Sequence, residues 1–188
     1  MKRILILTLC SFAVFTACKC SSGQSNSGEQ TEKDTYLAAI ERYMVESIGS
    51  EYAPGEFSIP FLLVAATDES DPKDIKVWGD FWVNQYNQSG DTLICVSGGS
   101  HPGLMHVAEA DGCYEVKSFD SVADGAEFIP TAKEIFGEHY DEFIAVQSDD
   151  AARKDAREQS LADFVAAKQL PVKVYQDYGW DAVEIPAK

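Results

Sequence analysis

Apolar side chains recur at helical spacing over residues 35–48. Tyr36, Leu37, Ile40, Tyr43, Met44 and Ile48 form one stripe, and Glu41, Arg42 and Glu46 lie off it. Asp34 or Thr35 can cap the start, and Gly49 can end the helix. Beyond that helix the pattern turns strand-like. Residues 57–67 form an apolar stretch in which Pro60 points to an edge position or a bulge. Residues 76–86 hold two of the three tryptophans and suit a pleated, half-buried surface. One face of that stretch reads Trp78, Asp80, Trp82, Asn84, Tyr86; the other reads Val77, Gly79, Phe81, Val83, Gln85. Neither face is simply polar, so this predicts a central strand. It is either covered on both sides or covered on one side and lining a pocket on the other.

The next strand is expected over 92–97, joined by a five-residue connection at 87–91 that contains Gly90. Setting Tyr86 opposite Thr92 brings Trp82 to Val96, Asn84 to Ile94, Val83 to Cys95 and Phe81 to Ser97. A one-residue slip exchanges the two faces, so this register is an assumption. Ser97-Gly98-Gly99-Ser100-His101-Pro102-Gly103 reads as a bend before a strand at 104–110. Asp111-Gly112 signals a tight turn into a strand at 114–119. Short helical patterns follow at 126–136 and 140–146. A better helix lies at 151–168, with Leu161, Phe164 and Val165 as its stripe and Asp149 and Asp150 at its N-terminus. Residues 171–180 form an extended aromatic tail. The expected fold class is α+β: an N-terminal helix packed on a curved antiparallel sheet of about five strands, with C-terminal helices.

The N-terminus has a different character. Lys2 and Arg3 precede an apolar run over 4–15 and then Thr16-Ala17-Cys18. A basic start, an apolar run of this length and small residues before a cleavage point make a secretory signal, too short for a lasting membrane span. The small pair before Cys18 resembles a bacterial lipobox, although Phe15 stands where an aliphatic residue is usual. That resemblance implies cleavage before Cys18 and lipid on its thiol and new amino group. Acyl chains contribute about 0.8 kcal/mol per buried methylene, so several would hold the protein at a membrane. Residues 18–33 are rich in Ser and Gly and nearly free of apolar side chains, which makes them a flexible tether. The chain therefore divides into a lipoprotein signal peptide (1–17), a tether (18–33) and one α+β domain (34–188). Lys19 and Cys20 lead into serines without an acidic run, which leans towards the periplasmic side of the cell envelope.

Composition narrows the partners. The 15 Lys plus Arg face 31 Asp plus Glu, a net charge of −16, and removing Lys2 and Arg3 with the leader takes it to −18. That charge disfavours nucleic acid and anionic lipid heads. Cys95 and Cys113, two strands apart, read as two separate thiols. The acidic loop at 68–74 lacks the glycine and final glutamate of a twelve-residue calcium loop, and His101, His106 and His139 lack the spacing of a helical zinc motif. Neither a metal nor a cofactor is expected. Ser97-Gly98-Gly99-Ser100-His101 lacks a nucleophile elbow and reads as a turn. The row Trp78, Asp80, Trp82, Asn84, Tyr86 is the most suggestive feature. Flat rings interleaved with hydrogen-bonding groups can hold a small molecule, a glycan or a protein segment, and the same row can equally be packed under helices.

A helix followed by a curved antiparallel meander, with more helix behind, resembles the nuclear transport factor 2-like and cystatin-like fold group. The lipobox, Trp78-Gly79-Asp80-Phe81-Trp82, Ser97-Gly98-Gly99, Ser118-Phe119-Asp120 and Gln176-Asp177-Tyr178-Gly179-Trp180-Asp181 look like lipoproteins of Bacteroidetes over most of 34–188. That likeness carries no activity with it. Some enzymes of the wider fold group use an Asp/His pair inside the sheet, which would fall to Asp80 and His106. In the register above these two lie on opposite faces, and no catalytic residue is assigned. The expected function is a lipid-anchored cell-envelope protein with a ligand-binding or interaction role. The alternative is a small hydrolase, lyase or isomerase with a pocket in the curved sheet.

Overall fold

The computed structural model describes residues 35–188. The leader, Cys18 and the tether lie outside the described residues. Thr35 caps the first helix, α1 (Tyr36–Tyr43), its hydroxyl accepting from the Ala38 N–H at 3.1 Å. The stripe read from sequence does not stop at Gly49. The chain runs on through a π-helical turn (Met44–Ile48) and a 3-10 turn (Gly49–Glu51). Gly49 stays helical because it is pressed against β2, where Gln85 Nε2 donates to its carbonyl at 3.0 Å.

Four long strands follow: β1 (Phe57–Asp68), β2 (Ile75–Ser89), β3 (Thr92–Ala110) and β4 (Cys113–Ser121). Then come α2 (Phe128–Phe136), α3 (Tyr140–Ser148), α4 (Asp150–Lys168) and two short strands, β5 (Val174–Gln176) and β6 (Val183–Glu184). The fold is α+β: a curled half-barrel sheet with the N-terminal helix and the C-terminal helices packed on it. β1 is an edge strand, as Pro60 required, with Pro60 opposite Val83. β2 lies between β1 and β3. Along its other edge β3 serves two neighbours, β5 at Thr92 to Ile94 and β4 from Gly103 onward.

Three expectations change. The sheet is mixed rather than antiparallel, because the tail returns to pair β5 parallel to β3. The β2–β3 hairpin is tighter than five residues: Ser89 sits opposite Thr92, and Gly90 (φ 62°) and Asp91 alone make the turn. Tyr86 therefore faces Cys95, Asn84 faces Gly98 and Trp82 faces Ser100. Finally, the glycine stretch bends β3 without breaking it. Gly98 has φ 141°, and a Cβ there would lie 2.4 Å from both Asn84 Oδ1 and the Val83 carbonyl, so only glycine lets the two backbones come this close.

The two faces of β2 bury different cores. Val77, Phe81 and Val83 join Ile40 and Met44 on the α1 side. Tyr86, with Ile59 and Leu93, meets Leu161 of α4 and Val172 and Tyr175 of the tail on the other. Phe136 and Phe143 of α2 and α3 stack at 4.0 Å in a third cluster that takes in Trp78. No described helix is long and apolar enough to cross a membrane.

Candidate functional site

The row read from sequence does share one face of β2, and helices α3 and α4 pack over that side of the sheet. Its polar groups are answered from within. Asp80 is only 1% exposed. Ser100 Oγ donates to its Oδ1 at 2.5 Å and Trp82 Nε1 to its Oδ2 at 2.9 Å. Burial pushes the Asp80 carboxyl up, against the pull of those two bonds and of nearby Arg153 and His101. Trp82 stacks on Phe61 at 5.3 Å, with the Arg153 guanidinium 5.8 Å above its ring. Trp78 donates from Nε1 to the Ile135 carbonyl at 3.0 Å and lies 4.7 Å from the His139 ring. Asn84 Nδ2 reaches the Tyr86 hydroxyl at 3.5 Å. Among the described residues no buried side-chain nitrogen or oxygen lacks a partner.

The remaining polar residues singled out from sequence sit in separate places. Asp80 lies opposite Pro102 and His106 opposite Lys76. The two-residue turn together with the register shift at Val96 puts them on one face, not on opposite faces, but four positions apart, roughly 13 Å along the strands. His106 instead has Asp74 Oδ1 2.6 Å from Nδ1 and Asp120 Oδ2 3.5 Å from Nε2. His101 shares a 2.8 Å hydrogen bond with the Tyr52 hydroxyl, and burial pulls its pKa down. Cys95 is a free thiol pushed up to about 11 by burial and is not bridged to Cys113; Cys113, expected as a second thiol, is instead disulfide-bonded.

Sequence reasoning missed Arg157. Its Nε donates to the Tyr86 hydroxyl at 2.9 Å, and its two terminal nitrogens grip Asp177 at 2.8 and 2.6 Å. Its guanidinium also lies over the Tyr175 ring at 4.7 Å. Burial works against the charged guanidinium, but Asp177 and Tyr86 outweigh it; in return Asp177 is held below the usual carboxylate range. Beside this fork Tyr175 is pushed up to about 12 by burial and by Glu158, which accepts from its hydroxyl at 3.1 Å. The signal was present in sequence. Extending the Leu161, Phe164, Val165 stripe one turn back lands on Arg157 and Glu158.

Asp177 opens a tight turn. The Trp180 N–H donates to the Asp177 carbonyl at 3.1 Å, Gly179 takes φ 80°, and Gln176 Nε2 donates to the Trp180 carbonyl at 2.8 Å. Positive φ at the third position is what a type II turn requires. Tyr178 is 96% exposed and Trp180 75% exposed. The aromatic tail is thus divided: Tyr175 is buried, while Tyr178 and Trp180 project into solvent from a turn clamped at its base.

Other cavities lined by described residues lie away from this row. A groove of about 660 Å³ runs between α4 and the end of the chain, walled by Val165, Leu170, Ile185 and Pro186, with Lys188 paired to Asp163 beside it. One of about 290 Å³ lies between α1 and β4. No residue of the β2 row lines either. Compared with protein-family models, with curated proteins and with solved structures, the chain matches none.

Proposed function

We propose that this protein is a non-catalytic interaction module of the cell envelope. It is acylated at Cys18, held at a membrane by the 18–33 tether on the periplasmic side, and makes contact with its partner through Tyr178 and Trp180. The observation that carries this reading is the exposure of two large aromatic side chains on a turn whose base is fixed by the Arg157–Asp177 fork. A turn fixed at its base loses little backbone freedom on binding, and Trp and Tyr dominate binding hot spots. The interleaved β2 row supports the scaffold in this reading, since its polar groups are already bonded inside the protein.

The test has two arms. Mass spectrometry of the native protein is expected to show fatty chains on Cys18; an unmodified Cys18 removes the anchor. Envelope-derived glycans, peptides and lipids are then titrated into the folded domain while tryptophan emission and melting temperature are followed. At least one class is expected to give a response that Trp180→Ala abolishes. Silence across all classes, or a response equally strong in Trp180→Ala, overturns the module.

A further inference from the structure

The geometry points to a partner segment carrying arginine or lysine as the occupant of the aromatic turn, an inference that rests on the module reading above. Charge comes first. The chain carries −16, and from Val174 through Ala187 it has no Lys or Arg; of its three acids Asp177 is already held by Arg157, which leaves Asp181 and Glu184. Asp181 directly follows Trp180 and is exposed. The electron-rich face of an indole or phenol ring attracts a cation, and a guanidinium can stack on the ring while bonding a neighbouring carboxylate. The fold already contains this arrangement once: Arg157 lies over Tyr175 while gripping Asp177. Trp180 beside Asp181 offers the same two chemistries to solvent.

The same charge argues against an anionic lipid surface as occupant, because anionic head groups repel it, and the turn lies away from where the described chain begins. Tyr36, at the start of α1, donates to Glu69 at 2.9 Å and meets Tyr114 edge-on at 6.3 Å, beside the far end of β3. The turn follows β5, which pairs with the opening residues of β3. The described chain therefore begins at one end of the sheet, and the aromatic turn lies towards the other.

The test uses the folded protein and a fluorescein-labelled arginine-rich peptide, read by anisotropy at low and raised salt. Its citrulline counterpart, a neutral oligosaccharide and phosphatidylglycerol vesicles serve as alternatives. The arginine peptide is expected to bind, to weaken with salt, and to lose about fivefold in affinity in Trp180→Ala. Trp180→Ala leaves the net charge unchanged, so general attraction to an acidic protein would survive it. Circular dichroism is expected to show both proteins equally folded, because Trp180 is largely outside the core. Equal binding of the citrulline peptide, or unchanged affinity in Trp180→Ala, overturns the proposal. Binding of the neutral oligosaccharide or the vesicles instead, lost in Trp180→Ala, overturns the cationic class and leaves the module reading intact. Self-association of the unliganded protein through the same turn, seen by sedimentation, does likewise.

Discussion

Asp80 sits beneath the helices with both carboxylate oxygens bonded and its pKa raised, chiefly by burial. A carboxyl whose folded pKa exceeds its unfolded value binds its proton more tightly in the native state than in the unfolded one. Its favourable contribution is complete below the ordinary aspartate range and is lost as pH rises through the raised folded value. Asp80→Asn keeps an oxygen for Trp82 and avoids burying a charge. The variant is therefore expected to melt above the parent at pH 7, with the gap closing as pH falls towards 4; a gap independent of pH contradicts this. Arg157 carries the opposite linkage. It holds Asp177 low, so that contribution is present above the ordinary carboxylate range and fades as pH drops through the depressed value. Arg157→Met strands Asp177 and the Tyr86 hydroxyl. Asp177 is 41% exposed, so solvent screens the pair and the loss is expected to be about 1–2 kcal/mol, below that of a fully buried pair. Urea unfolding at pH 7 is expected to show that loss, and the same comparison at low pH a smaller one.

At the scale of elements, β3 decides the shape. It is nineteen residues long, pairs with three other strands and bends at its glycines. A register shift between Gln85 and Tyr86 opposite Val96 adds twist where the sheet curls. Gly98→Ala would push a methyl group into Asn84 and the Val83 carbonyl at a backbone angle that side chains rarely adopt. A loss of about 2 kcal/mol or more is expected. Gly112→Ala, also at positive φ but with nothing within 4 Å, is the control and should lose only about 1 kcal/mol. Equal losses in thermal or urea unfolding would mean that close strand approach at Gly98 does not limit stability.

For the molecule as a whole, α1 packs one face of β2, while α3, α4 and the tail pack the other. Much of this was legible along the chain. The stripe in 35–48, the alternation in 76–86, the Asp111-Gly112 turn and the helix at 151–168 all report local burial, and local periodicity records which side faces the core. The hairpin register was not legible, because a two-residue and a five-residue connection through Gly90 both satisfy the turn chemistry. The unbroken course of β3 was hidden because glycine and proline read as punctuation, whereas inside a strongly curved sheet glycine is what permits close backbone approach. The candidate site was half visible. The tail at 171–180 was legible as aromatic, but nothing in its spacing separates a buried aromatic such as Tyr175 from exposed ones such as Tyr178 and Trp180.

What the residues determined without help is a contrast along the chain: an apolar run before Cys18, a polar Ser/Gly-rich run after it, and an acidic α+β domain with a tryptophan-rich inner strand. These follow from composition and short periods, which act over a few neighbouring residues. Only the tertiary structure decided that the β2 row bonds inward, that the tail returns parallel to β3, and that Arg157 of α4 reaches Asp177 twenty residues later. Those are contacts between segments far apart in the chain. They depend on how two packed faces meet, and no local pattern encodes that distance.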